Sequence, residues 1–206
     1  AIPTGPPSNS SRTSDGAGMN QLGIHALVWA GDTGADSVEQ AVQKTKAAGY
    51  DILEFSLHDG FESDVHEASS KLKAAGLAVA CSRGLAADAD VSSEDPAVVQ
   101  RGLDLIHESI QITHDLGGRV LTGALYGAFG KASSALSSKG RANIVASLRE
   151  ASQVAADAGV DLGLEVCNRY ETNVINTAAE GMRLADEIGA DNIFIHLDIY
   201  HMNIEE

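Results

Sequence analysis

The feature that most constrains this 206-residue sequence is a repeated pair of segments, a short apolar run followed by a longer segment with helical periodicity. Four of the periodic segments stop at a glycine that is followed by apolar residues, as in Ala47–Tyr50 and Ala74–Leu77. Glycine accepts the left-handed conformation with which many helices end. Strands that alternate with helices in this way predict an α/β protein with a parallel sheet covered by helices.

Periodicity together with helix start and stop signals defines the predicted elements. Strands are predicted at Leu22–Val28, Ile52–Leu57, Leu77–Cys81, Arg119–Thr122, Leu162–Val166 and Ile193–Leu197. Helices are predicted at Asp36–Ala48, Asp64–Ala75, Asp95–Leu116, Ser137–Ala158 and Thr177–Ile188. Residues 1–18 hold three of the four prolines and show no periodicity, so they are predicted to be a disordered leader or a cloning remnant that precedes a domain at 19–206.

Two architectures compete for such a pattern, a doubly wound open sheet and a (β/α)₈ barrel. No G-x-G-x-x-G motif follows the first predicted strand, which disfavours the dinucleotide-binding form of the open sheet. Polar residues instead follow nearly every strand, and a site ringed by many such loops is typical of a barrel. These residues are Trp29, Asp32, His58, Asp59, Ser82, Arg83, Tyr126, Glu165 to Glu171, Asp198 and His201.

Composition excludes some classes of function. The formal net charge is −15 and the pI is near 4.7, which disfavours nucleic-acid binding because that binding relies on Lys and Arg. No apolar run is long enough for a membrane span. Two cysteines, Cys81 and Cys167, are too few for a disulfide framework, and no signal peptide is recognisable, so we expect a cytoplasmic protein with reduced thiols.

Two carboxylates stand out at the ends of neighbouring predicted strands. Glu165 lies near the end of Leu162–Val166, and Asp198 directly follows Ile193–Leu197. Parallel strands joined by one helix lie about 4.8 Å apart and end at the same edge of the sheet. One divalent cation in contact with both carboxylates is therefore a reasonable expectation from geometry.

Two runs around these carboxylates carry a resemblance to a known family. They are Leu164–Glu171 (LEVCNRYE) and Leu197–Glu206 (LDIYHMNIEE). They resemble the ketose 3-epimerases, the D-tagatose/D-psicose 3-epimerase family, which belongs to the xylose-isomerase-like barrels. The resemblance is looser but colinear from Met19 onward. It implies a (β/α)₈ barrel and a metal-dependent enzyme that epimerises a ketohexose at C3 through an enediolate.

The resemblance also implies roles for individual residues. Glu165 corresponds to a catalytic carboxylate that is also a metal ligand, and Asp198 to a second metal ligand. Glu171 and His201 correspond to residues that bind the substrate. The metal implied is Mn²⁺, with Co²⁺ or Mg²⁺ as alternatives, and the partners implied are a sugar substrate and further copies of the chain in a dimer or tetramer.

Other interpretations concern side chains outside these two runs. Trp29 and Tyr126 are interpreted as walls of a sugar pocket. His196, inside the sixth predicted strand, is interpreted as a packed, hydrogen-bonded histidine rather than a metal ligand.

The chain departs from the family at its C-terminal end. The family's remaining His and Glu ligands lie on strands seven and eight, whereas the last predicted strand here is the sixth, and a complete barrel needs roughly 250 residues. The expectation is therefore a barrel that is truncated after its sixth strand. Two alternatives to the epimerase remain open, an aldose–ketose or hydroxypyruvate-type isomerase on the same scaffold and a non-catalytic remnant.

Overall fold

The structure, a computed structural model, describes residues 20–206, so the predicted leader at 1–18 lies outside the described residues. The strands are β1 (Gly23–His25), β2 (Ile52–Ser56), β3 (Ala78–Ser82), β4 (Val120–Gly123), β5 (Asp161–Val166) and β6 (Ile193–Leu197). The α-helices are α1 (Ala35–Ala48), α2 (Val65–Ala75), α3 (Pro96–Asp115), α4 (Ser138–Ala158), α5 (Ala178–Ile188) and α6 (Ile199–Glu205). A short 3₁₀-helix spans Ala26–Val28.

The strands form one six-stranded sheet in the order β1-β2-β3-β4-β5-β6, and every neighbouring pair is parallel. Each strand thus hydrogen-bonds to the next strand along the chain. In a doubly wound sheet the order of the strands reverses partway across the sheet, whereas here the strands follow one another in chain order. The arrangement is the wall of a (β/α) barrel, as predicted, and β1 and β6 form its two edges within residues 20–206.

Four of the helices end where the sequence predicted. Gly49, Gly76, Gly159 and Gly189 adopt positive φ angles of 68° to 80° at the ends of α1, α2, α4 and α5. Among residues 20–206, no helix combines the length and the apolar character that crossing a bilayer requires.

The strands separate two environments. On β2, Leu53 and Phe55 are buried, whereas the alternate residues Ile52, Glu54 and Ser56 are half-buried. On β5, Leu162, Leu164 and Val166 are likewise buried. Because successive side chains of a strand point to opposite faces, one face of the sheet packs under the helices and the other carries the polar groups.

The first strand is shorter than predicted. We expected Leu22–Val28, but only Gly23–His25 pairs with β2. The His25 Nδ1 atom accepts a hydrogen bond from the backbone N–H of Leu27, and the N–H of Trp29 donates to the Ala26 carbonyl. These two bonds turn the backbone into a 3₁₀-helix at the point where an apolar pattern had predicted a continuing strand.

The polar face of β5 has one position without a side chain. A Cβ atom on Gly163 would lie 2.5 Å from Thr122 Oγ1 and 2.7 Å from the Phe194 ring. The Thr122 hydroxyl donates to the Gly163 carbonyl, and His196 Nδ1 lies 2.8 Å from the same Thr122 oxygen. Side chains of β4 and β6 therefore meet across Gly163, and His196 is the packed, hydrogen-bonded residue that the sequence indicated.

We predict that Gly163→Ala destabilises the protein by about 1–3 kcal/mol, because the added methyl group has no space unless Thr122 and Phe194 shift. The measurement is chemical denaturation followed by circular dichroism. Gly31→Ala is the matched control, since a Cβ there meets no atom within 4 Å. Equal free energies of unfolding for the two variants would contradict the prediction.

Candidate active site

The carboxyl ends of β5 and β6 bring the predicted site residues together. Glu165 of β5 pairs in register with His196 of β6, and Asp198 follows two residues later. Asp198 caps α6, because its Oδ1 atom accepts hydrogen bonds from the N–H groups of Tyr200 (2.7 Å) and His201 (3.1 Å). This cap starts the helix that turns His201 back toward β5.

Glu165 is the centre of the site. It lines a cavity of about 330 Å³ together with residues from the ends of β2, β3 and β4, which include Ser56, His58, Ser82, Arg83 and Phe129. Burial raises the pKa of the Glu165 carboxyl, and although His201 opposes the rise, Asp198, Glu54 and Glu171 add to it. A carboxylate with a raised pKa is a stronger base than a surface glutamate, which suits proton abstraction.

His201 joins the two predicted acids of the site. Its imidazole is buried, with Nε2 lying 3.6 Å from Glu165 Oε1 and Nδ1 lying 3.5 Å from Glu171 Oε2. Glu171 Oε2 is itself buried and has no hydrogen-bond partner among the described residues. Such an atom is satisfied when a ligand hydroxyl or a water molecule donates to it.

The two aromatic residues predicted to wall the pocket have other contacts. Tyr126 is fully buried, and its hydroxyl donates to the backbone carbonyl of Glu165 at 2.8 Å. Trp29 donates through Nε1 to Thr45 Oγ1 at 2.9 Å, and Lys44 Nζ lies 5.9 Å from the centre of its ring. Tyr126 therefore supports the strand end that carries Glu165, and Trp29 packs on α1; neither lines the cavity around Glu165.

An ion pair that the sequence did not reveal fastens α6 to the loop after β5. Glu205 accepts hydrogen bonds from the backbone N–H (2.6 Å) and from Nε (2.8 Å) of Arg169. These hydrogen bonds lower the pKa of Glu205 to about 2. The pair joins the loop that carries Glu171 to the helix that carries His201, and no pattern in the sequence predicted it.

The chemistry of the available donors limits which residues can hold a metal ion. Glu165, Cys167 and His201 present potential ligand atoms within 4.8 Å of one another. Burial, with Glu165 as a further cause, raises the pKa of the Cys167 thiol to about 12, so this thiol is protonated when no ion is bound. Glu165 and Asp198 supply carboxylate oxygens, which suit Mn²⁺ and Mg²⁺.

Comparison with known proteins places this site in a family. The family model described as a xylose isomerase-like TIM barrel matches residues 29–206, so the chain belongs to that family. Within it, the chain is 43% identical over 186 residues to a ketose 3-epimerase of Arthrobacter globiformis, a match that covers 90% of this chain and 64% of that protein. It is 40% identical to an L-ribulose 3-epimerase of Mesorhizobium japonicum, over 91% of this chain and 63% of that protein.

A solved structure agrees with the sequence comparison. The crystal structure of a D-allulose 3-epimerase from Methylomonas sp., in complex with D-allulose, superposes with a TM-score of 0.87 at 43% identity. The match covers 90% of this chain and 65% of that one. The resemblance to ketose 3-epimerases is thus confirmed, and the chain spans about 65% of the length of these relatives.

We predict that neither cysteine reacts with a thiol reagent while the protein is folded. Both thiols are buried, and burial raises the pKa of Cys81 and of Cys167 to about 12. Because the thiolate is the reactive form, Ellman's reagent should release almost no thiol at pH 8 and two equivalents after denaturation. Rapid release of one equivalent from the folded protein would contradict this assignment.

Proposed function

We propose that the protein epimerises a ketose, such as a ketohexose, at C3. The observation that carries this proposal is the raised pKa of Glu165 in a cavity at the carboxyl ends of the strands, next to His201 and the unpartnered oxygen of Glu171. The relatives are named for C3 epimerisation of ketoses, which supports the same reaction class here.

The chemistry follows from these groups. The C3 proton of a ketose is weakly acidic because the adjacent carbonyl accepts the charge that its removal leaves. Glu165 removes this proton and leaves an enediolate, whose oxygen receives a hydrogen bond from His201. Glu171 accepts a hydrogen bond from a substrate hydroxyl and fixes the orientation of the sugar. Water donates a proton to the opposite face of C3, which inverts the configuration, and Glu165 releases the abstracted proton to solvent.

Glu165 and Asp198 are the residues that we assign to a divalent cation, for which Mn²⁺ is the first choice and Co²⁺ or Mg²⁺ are alternatives. A bound cation supplies positive charge near the carbonyl and lowers the free energy of the negatively charged intermediate. The acidic surroundings that raise the pKa of Glu165 also favour binding of a cation.

Cellular location and assembly are part of the proposal. The two unpaired, buried thiols fit the reducing cytoplasm that the sequence predicts. Apolar side chains are exposed on and after β6, and they include Leu197, Ile199 and Tyr200. Their exposure fits the expected association with further copies of the chain.

We predict that the protein, with Mn²⁺ in D₂O, removes the C3 proton of D-fructose, D-tagatose or L-ribulose and forms the corresponding epimer, because Glu165 exchanges its abstracted proton with solvent. Proton NMR measures the loss of the C3 signal, and a chelator should abolish it. An aldose product would favour the isomerase alternative. No C3 exchange with any of the three sugars would contradict the proposal.

Glu165→Gln should lower the rate of C3 exchange by about 10²–10⁴-fold, because an amide cannot act as the base. Glu150→Gln is the matched control, since Glu150 is exposed on α4, and it should exchange at the wild-type rate. Exchange by Glu165→Gln at a rate close to wild type would rule out Glu165 as the base.

Asp198→Asn should weaken Mn²⁺ binding at least about tenfold, measured by electron paramagnetic resonance of the free ion. Asparagine preserves the oxygen that caps α6, so the loss reports the missing charge rather than a lost helix. Asp186→Asn, on the exposed side of α5, is the control. Unchanged affinity in Asp198→Asn would remove Asp198 from the ligand set.

A further inference from the structure

We propose that Asn168 is a positioning residue that holds the His201 imidazole in the tautomer with its proton on Nε2. Asn168 lies directly after the strand that carries Glu165, and its side chain is only 1% exposed. It is not among the residues for which the family resemblance implies a role. Two of its N–H groups, one from the backbone and one from the side chain, are directed at the same ring nitrogen of His201.

The backbone contact sets the direction of hydrogen bonding. The N–H of Asn168 lies 3.3 Å from His201 Nδ1, and a backbone N–H can only donate. Nδ1 must therefore carry a lone pair, and the single proton of the neutral ring is on Nε2. Which nitrogen of a histidine is protonated follows from the hydrogen bond that the other nitrogen makes.

The side-chain contact agrees, because the orientation of the Asn168 amide is itself fixed. Its Oδ1 accepts a hydrogen bond from the N–H of Tyr170 at 2.9 Å, which leaves Nδ2 facing His201 Nδ1 at 2.8 Å. The flipped amide would place Nδ2 against the Tyr170 N–H, so that two donors would lie 2.9 Å apart. The amide therefore donates to His201 and does not accept from it.

One neighbour favours the opposite tautomer. Glu171 Oε2 lies 3.5 Å from His201 Nδ1 and would accept a proton placed there. That proton would also point at Nδ2 of Asn168 at 2.8 Å and at its backbone N–H. A clash of donors at 2.8 Å costs more than two acceptors that face each other at 3.5 Å, so Asn168 decides the tautomer and Glu171 Oε2 stays available to a ligand.

The tautomer defines what His201 can do. Its Nε2 lies 3.6 Å from Glu165 Oε1, so the ring presents a hydrogen-bond donor on the side of Glu165. A ring in this state is neither a proton acceptor nor a metal ligand at Nε2. Its use as the donor to the enediolate oxygen rests on the proposed function, whereas the tautomer itself does not.

The test is long-range ¹H–¹⁵N NMR of the protein with ¹⁵N-labelled histidine, without metal or substrate. The His201→Gln variant identifies the His201 signals among those of the seven histidines. We expect a pyridine-type Nδ1 and a pyrrole-type Nε2 in the wild type. In Asn168→Asp, the new carboxylate oxygen at 2.8 Å and Glu171 Oε2 at 3.5 Å both accept from Nδ1 and outweigh the backbone N–H at 3.3 Å. The ring proton should therefore move from Nε2 to Nδ1, while Oδ1 still accepts from Tyr170.

Asn173→Asp is the matched control, because it adds the same charge to the same loop. Asn173 is exposed and donates to the Ser134 carbonyl, so the His201 signals should keep the wild-type pattern. A protonated Nδ1 in the wild type, or an unprotonated Nδ1 in folded Asn168→Asp, would overturn the proposal.

An activity measurement separates this proposal from the proposed function. Asn168→Asp should slow C3 exchange by about 10²–10³-fold, the typical effect of removing one donor from a developing oxyanion, and Asn173→Asp should not. If the wild type shows no exchange, the proposed function fails, and the NMR signals still decide the tautomer. Wild-type exchange by an Asn168→Asp variant whose Nδ1 is protonated would overturn the positioning role.

Discussion

The parallel register between β5 and β6 is the constraint on which the site depends. Because Glu165 pairs directly with His196, the strand ends lie side by side, and the residue that follows β6, Asp198, emerges next to Glu165. The pairing also requires Gly163, since Phe194 and Thr122 occupy the space that a side chain there would need. A slip of one residue would turn Glu165 toward the helices and remove the site.

Around this register, buried polar groups are placed by other buried polar groups. Tyr126 supports the carbonyl of Glu165, and Asn168 orients His201. The Arg169–Glu205 pair closes the connection between α6 and the loop after β5. Each contact satisfies a group whose burial would otherwise cost free energy, whereas Glu171 Oε2 is buried without a partner among the described residues.

The sequence predicted the strands, most of the helices and several helix ends, but not the end of β1. The glycine stops predicted the ends of α1, α2, α4 and α5, because a left-handed residue at a helix terminus is a local requirement. The predicted end of β1 was wrong, since the 3₁₀-helix there depends on a hydrogen bond that His25 Nδ1 accepts, and no apolar pattern reveals that bond. The contact of Trp29 was not apparent for a similar reason, because its partner Thr45 lies on α1.

The sequence by itself determined the alternation of strands and helices, the family, and the residue types at the candidate site, since these follow from local periodicity and from two contiguous motifs. Only the tertiary structure decided that Glu165 is half-buried among other acids, that Asn168 faces His201, and that Arg169 meets Glu205. The two hydrogen-bonded contacts join residues that are 33 and 36 positions apart. Their geometry and their effect on pKa arise from the packing of α6 against the end of β5, which no local sequence pattern encodes.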